Sequence, residues 1–300
     1  MPPLISIIIP CHGQARFLGD AITSVLAQQY RPYEIIVIDD ASPDDVAGAI
    51  AKLPVTLVRL PERRGVAHAR NLGLQQCSGD YVVCLDADDR LLPAALAAGS
   101  ETLSSRPRCA LTWGVRHLID ATGRPLPAKP ARILGSVSYE ALLRGNLIGP
   151  PAGVMFRRSA LAKAGGFNMG FQGAEDYEAY LRLAREHEAW GHGAPVVEYR
   201  IHAANMSGNN DRMLTAVLRV LEAQEPFVEA DPRLRRALSV GQRWARESYD
   251  LTERLQRLGE HRRAGQWGKA LLGTADLLRR YPRRFFPILV RRTARSVLPH

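Results

Sequence analysis

Acidic side chains are the residues of this sequence whose types and spacing could do chemistry. Asp86-Ala-Asp88-Asp89 puts three carboxylates within four residues, directly after the apolar run 81–85. Like charges at this range raise one another's pKa, and a cation among them relieves the cost. Hard carboxylate oxygens suit Mn²⁺ or Mg²⁺, and an ion held by one or two carboxylates commonly completes its shell with phosphate oxygens. The bland alternative is a solvated turn that caps a following helix. A second pair, Asp39-Asp40, follows the apolar run 34–38 and leads into Ser42-Pro43, where a turn and cap is again the alternative. A third pair, Glu175-Asp176, opens a helical pattern over 177–187. On the residues alone it reads as acids placed to suit a helix dipole.

The elements around these acids give them their meaning. Residues 4–9 form a continuous apolar run ending at Pro10, as a strand buried on both faces would. Residues 16–29 carry Phe17, Ile22, Val25 and Leu26 at amphipathic-helix spacing. Strands are expected at 34–38, 55–60, 81–85 and 110–119, with helices at 44–53, 65–76 and 177–187. From about 211 onward the pattern is helical, broken near 225–232. The alternation predicts an α/β fold, a mostly parallel sheet flanked by helices, with a C-terminal helical appendage. In such sheets ligands bind beyond the carboxyl ends of the strands, where Asp39-Asp40 and Asp86 to Asp89 both fall.

Composition sets the outer limits. A chain of 300 residues with 46% hydrophobic and 23% charged residues is an ordinary globular protein, not a collagen, a disordered tail or a disulfide-stapled miniature. Its net charge of +10 is unevenly placed. Residues 231–300 hold 17 Lys/Arg against 6 Asp/Glu, whereas residues 1–230 hold 23 against 24. The start lacks the basic and small-residue features of a signal peptide, and no apolar run is long enough to span a bilayer. Cys11, Cys77, Cys84 and Cys109 show no metal-ligand spacing and read as reduced thiols, so a cytoplasmic location is expected.

Three readings of the basic tail stay open. It could be a helical bundle packed on the rest of the protein. It could attach to an anionic membrane surface through 283–298, where Phe285, Phe286, Ile288, Leu289 and Val290 lie between arginine pairs. Nucleic-acid binding is the weakest, since neither interleaved aromatics nor a recognisable motif is present.

Six motifs in order carry a resemblance to the family 2 glycosyltransferases of the GT-A (Rossmann-like) fold. They are Ile7-Ile-Ile-Pro-Cys11, Ile38-Asp-Asp-Ala-Ser42, Ala69-Arg-Asn-Leu-Gly73, the Asp86 to Asp89 cluster, Gly165-Gly-Phe167 with Glu175-Asp176, and Tyr199-Arg-Ile-His202. The resemblance covers roughly residues 1–210 and implies a catalytic domain over 1–225, leaving 226–300 as the basic helical region. It implies that Pro10 packs beside the donor's base and that Asp40, helped by Asp39, accepts its N–H, which favours a UDP or dTDP sugar. It implies that Arg70 pairs with the diphosphate, that Asp86 contacts ribose or assists the metal, and that Asp88 and His202 ligate Mn²⁺ or Mg²⁺. Asp176 would be the base and Glu175 would orient the acceptor, giving inverting transfer to a glycan or glycolipid in envelope or polysaccharide synthesis, on the inner face of the membrane. The competing readings are a nucleotidyltransferase with a related sheet and a non-catalytic nucleotide- or carbohydrate-binding module. The former would be expected to carry a glycine-rich, Lys/Arg-bearing loop where Pro10-Cys-His-Gly-Gln14 stands.

Overall fold

A computed structural model describes residues 1–127, 133–203, 205 and 209–281 of the chain. Its first part alternates as the sequence pattern requires: β1 (Ile5–Cys11), α1 (Ala15–Leu26), β2 (Tyr33–Asp39), α2 (Val46–Ile50), β3 (Thr56–Arg59), α3 (Val66–Gln76) and β4 (Tyr81–Cys84). These four strands pair in parallel. Alternate residues feed opposite layers. Ile8, Ile36, Ile38 and Val82 pack toward one, while Ile5, Ile7, Ile9, Val37 and Val83 pack toward the other. Both faces are covered, which is why the strands read as unbroken apolar runs.

The sheet then departs from the mostly parallel expectation. After β5 (Arg90–Leu91), α4 (Ala95–Ser104) and β6 (Cys109–Asp120) come β7 (Gly135–Ser136), α5 (Tyr139–Leu143), β8 (Val154–Arg157), α6 (Arg158–Lys163), α7 (Glu175–Ala184) and β9 (Glu188–Ile201). The nine strands run in the order β3-β2-β1-β4-β8-β6-β9-β5, with β7 on β9. β8 lies antiparallel between β4 and β6, and β6 pairs in parallel with β9. The fold is an α/β sandwich of three layers around a mixed sheet.

The C-terminal helices are α8 (Asn210–Glu222), α9 (Glu225–Val228), α10 (Pro232–Arg263) and α11 (Trp267–Arg280). The main core runs across residue 225, because Val220, Leu221, Val228, Ala237 and Leu238 belong to the same buried layer as the sheet. At Gly241 the α10 backbone comes so close to α5 that an added Cβ would stand 1.9 Å from the Leu143 carbonyl oxygen. Beyond that contact α10 pairs with α11 in a hairpin with a small core of its own: Leu251, Leu258, Ala270 and Leu277. The packed-bundle reading therefore describes α10. The expected membrane segment 283–298 lies outside the described residues, and no described helix is long and apolar enough to cross a membrane. All four cysteines are free and buried, and burial pushes the Cys84 thiol up to about 12.

Helix α3 sits tightly against β1. A Cβ on Gly73 would fall 2.3 Å from Ile8 Cγ2, on a β-branched side chain with no exposed surface and little freedom to move. Gly73→Ala gains up to about 1 kcal/mol of helix propensity, set against overpacking of about 1–3 kcal/mol. Its urea midpoint is expected to fall; an unchanged midpoint would show that Ile8 gives way freely.

Candidate functional site

The ends of β1 and β2 form the first part of the site. Pro10 is buried at the end of β1. Asp39 is also buried: one carboxylate oxygen accepts the Ser42 N–H at 2.8 Å and the other stands 3.3 Å from Arg59 Nε. That is the capping arrangement. Asp40 accepts the Arg64 N–H at 2.6 Å and the Gly65 N–H at 2.8 Å, one on each oxygen, while its carbonyl lies 2.8 Å from His12 Nδ1. The chain from 64 to 65 is thereby pinned over the end of β2. A carboxylate offers about four acceptor positions, so Asp40 retains capacity for a further donor.

Arg70 does not stand where a diphosphate ligand is expected. Its guanidinium, carried by α3, is buried and bridges two carboxylates: Nη1 donates to Glu175 Oε1 and Nη2 to Asp86 Oδ1, each at 2.7 Å. Glu175 is completed on its other oxygen by the Gly173 N–H at 2.8 Å. Arg70 thus joins the carboxyl end of β4 to the start of α7. The neighbouring Asn71 does the same for the preceding loop, exchanging two 2.7 Å hydrogen bonds with the backbone of Phe167.

The acid cluster is held from the other side by β9. Arg200, almost wholly buried, donates its backbone N–H to Asp89 Oδ1 at 2.8 Å and its Nε–H to the Asp88 carbonyl at 2.7 Å. His202 Nε2 lies 2.8 Å from Asp88 Oδ2, and the His202 ring stacks on Phe17 with centroids 5.2 Å apart. Gln14 Nε2 donates to the same Asp88 oxygen at 2.8 Å. Burial, and then the charge of Asp86, raises the Asp88 carboxyl. Asp89 is raised further by burial and by both neighbouring acids, and its Oδ2 is buried without a hydrogen-bond partner.

These residues fit a divalent cation in part. Asp88 and His202, a hard oxygen and an imidazole nitrogen, meet at one point, and the crowded acids favour added positive charge. Asp86, expected as a third ligand, is turned to Arg70 instead. Among the described residues no three His, Cys, Asp or Glu side chains surround a common point.

Asp176 begins α7 beside Glu175 and is only partly buried. Burial, and then the Glu175 charge, pushes its carboxyl up to about 7, against a lowering influence from Arg70. The same helix places Tyr180 in the core with a buried hydroxyl that has no hydrogen-bond partner, and α10 brings Tyr249 within electrostatic range of Asp176. Trp113 is buried in the core, and the Tyr139 hydroxyl donates to Gln224 at 3.1 Å.

Sequence reasoning gave no role to Gln14, Phe17, Arg200 or Tyr249. Arg200 had a signal, since an arginine two residues before His202 in a predominantly apolar stretch needs an acid to face. Gln14 had none: it is one polar residue in a turn.

A model of the family described as "Glycosyl transferase family 2" matches residues 6–165. The chain is 30% identical over 213 residues to TuaG of Bacillus subtilis, a protein named for teichuronic acid biosynthesis, covering 69% of this chain and 82% of that one. It is 32% identical over 213 residues to the O-antigen biosynthesis protein RfbC of Myxococcus xanthus, covering 67% of this chain and 16% of RfbC. Against the poly-beta-1,6-N-acetyl-D-glucosamine synthase of Staphylococcus aureus it is 31% identical over 170 residues, with 54% and 41% covered. The chain therefore spans less than half the length of RfbC and of the synthase. Among solved structures, the mannosyltransferase PcManGT of Pyrobaculum calidifontis, in complex with GDP-Man and Mn²⁺, matches with a TM-score of 0.63 and 21% identity over 95% of this chain and 83% of that one. S. aureus TarS 1–349 in complex with UDP-GlcNAc matches with a TM-score of 0.61 and 16% identity, covering 92% and 91%. At these identities the likeness is one of fold.

Removing the Arg70 bridge should expose its weight. Arg70→Met leaves Asp86 and the buried Glu175 facing each other unpaired, a loss of about 3–5 kcal/mol by analogy with broken buried ion pairs. Chemical denaturation of the two proteins measures it, and a loss below 1 kcal/mol would deny the bridge its structural role.

Proposed function

The chain belongs to glycosyltransferase family 2, and from that premise we propose an inverting, divalent-metal-dependent transfer of a sugar from a nucleoside diphosphate sugar to a hydroxyl of a glycan or glycolipid acceptor. The relatives named for O-antigen and teichuronic acid biosynthesis support an acceptor of the cell envelope. One observation carries the reading. A carboxyl pushed up to about 7, Asp176, lies at the mouth of a helix whose first acid is bridged through Arg70 to the cluster after β4.

In the proposed reaction Asp176 accepts the proton of the acceptor hydroxyl as that oxygen attacks the anomeric carbon. The bond from that carbon to the diphosphate oxygen breaks on the opposite face, so the configuration inverts. Asp88 and His202 would hold the cation, which when bound neutralises the charge of the departing diphosphate. Asp40 keeps acceptor capacity toward the N–H of uracil or thymine, which favours a UDP or dTDP donor, and Pro10 would pack beside the base. Asp39, closed on Ser42, supports the turn. Arg70 and Glu175 set the angle of α7, and with it the aim of Asp176, so we assign Arg70 positioning rather than direct diphosphate binding.

Thermal shift with UDP, dTDP and GDP sugars in Mn²⁺ tests the donor. Asp88→Ala is expected to abolish the Mn²⁺-dependent shift; retention of that shift would remove Asp88 as a ligand. Asp176→Asn is expected to keep the shift and lose transfer by about 10²–10⁴-fold, the usual contribution of a general base. Equal turnover by variant and wild type would sink the base assignment.

The folded-state pKa of Asp176 lies above its ordinary value of 3.8, so the ionised base is lost, and transfer falls, as pH drops through about 7. For stability the sign is opposite, because the folded protein binds this proton more tightly than the unfolded chain does. Stability from this group is full below about 4 and declines as pH rises toward 7. Asp176→Asn should therefore melt a few degrees higher than wild type at pH 8, with the gap closing at pH 5. A variant that melts lower at pH 8 would contradict the buried-charge account.

A further inference from the structure

The apolar surface of α11 is divided between two sides. Ala270 and Leu277 face α10 and close the small core of the hairpin. Trp267, Leu271 and Leu272, also apolar, stand 62%, 72% and 74% exposed. Trp267 and Leu271 are one turn apart and Leu272 continues the exposed apolar surface round the helix, outside the stripe of Ala270 and Leu277 that faces α10. Among the described residues only the first of these apolar surfaces has a partner.

The surroundings of that patch are cationic. Lys269, Arg279 and Arg280 on α11 and Arg262 and Arg263 at the end of α10 are all exposed. The only acid of α11, Asp276, is engaged by Arg254 at 2.7 Å and by Arg280 at 2.9 Å, with Arg279 at 3.6 Å. A second copy of the chain would bring this positive rim against itself. An anionic bilayer supplies both complements at once: negative headgroups for the rim and an acyl boundary for the tryptophan and leucines.

We propose that the outward face of α11 is a membrane-docking surface, with Trp267, Leu271 and Leu272 entering the headgroup boundary of an anionic bilayer and Lys269, Arg279 and Arg280 contacting its phosphates. The hairpin is continuous with α10, whose first half is locked to α5 and the core at Gly241. Docking therefore fixes the orientation of the whole catalytic body. Tyr249, within electrostatic range of Asp176, lies on the same helix.

The test is sedimentation of the full-length protein with vesicles of phosphatidylglycerol and phosphatidylcholine, and with phosphatidylcholine alone. It does not depend on transferase activity, so its outcome is separate from that of the proposed reaction. Wild type should partition to the anionic vesicles and be released as salt is raised from about 0.05 M to about 0.5 M, where screening removes the surface attraction. The combined variant Trp267→Ser, Leu271→Ser, Leu272→Ser should bind at least about tenfold more weakly, through loss of apolar insertion. Its melting temperature should stay unchanged, because the three side chains are exposed. Equal partition of variant and wild type would overturn the proposal and leave attachment to arginines alone. Equal binding to neutral vesicles would remove the electrostatic part, and a wild-type dimer that the variant converts to a monomer, without vesicle binding, would assign the face to a second copy.

Discussion

The Arg70 guanidinium is the interaction around which the rest of the site is arranged. A buried arginine is costly, and so is a buried glutamate such as Glu175; together with Asp86, each at 2.7 Å, they become tolerable. The bridge fixes three elements at once. α3 must lie flat on the sheet to carry Arg70 inward, which is what the Gly73 contact with Ile8 permits. β4 must end where Asp86 can meet α3, and α7 must start with Glu175 turned toward both. A planar fork with two arms has a geometry that a lysine cannot reproduce, so this is a constraint of angle as well as of charge.

Arg200 plays the corresponding part from the opposite edge. It brings the end of β9 against the Asp88-Asp89 backbone and side chains and so sets His202 on Asp88. The acid cluster is therefore held by two arginines from segments 130 residues apart in sequence. Arg70 and Arg200 thus face the site's acids from within residues 1–230, whose balance is nearly neutral, whereas the excess of positive charge belongs to residues 231–300.

Local periodicity reveals what is local. The parallel half of the sheet, β1 to β4, was legible because each strand is an unbroken apolar run and each helix shows its stripe. The acids were legible because they sit where two such runs stop. β8 and β9 were not. β9 contains Gly191, Gly193 and Pro195, residue types that weaken a strand pattern, yet Gly191 is needed because the Ile133 carbonyl passes 2.0 Å from where its Cβ would be. The direction of Arg70 was hidden for a different reason: its partner Glu175 lies 105 residues away, and no spacing rule reaches that far. No local pattern shows that Val228, Ala237 and Leu238, beyond the expected division near 225, complete the core begun by the sheet.

The state of Asp176 comes from a contest that magnitudes decide. At the first turn of α7 the helix dipole favours an ionised carboxylate by about 0.3–1 kcal/mol, and Arg70 pulls the same way. Burial and the adjacent Glu175 push against them and prevail, so the carboxyl stands at about 7 rather than 3.8. Burial wins because the partner that would relieve it is already committed: both arms of Arg70 are on Asp86 and Glu175. The bridge that stabilises two carboxylates thus leaves Asp176 with only the distant pull of Arg70. A carboxyl at about 7 accepts protons far more readily than an exposed aspartate would, which is the property that deprotonating an acceptor hydroxyl near neutral pH demands.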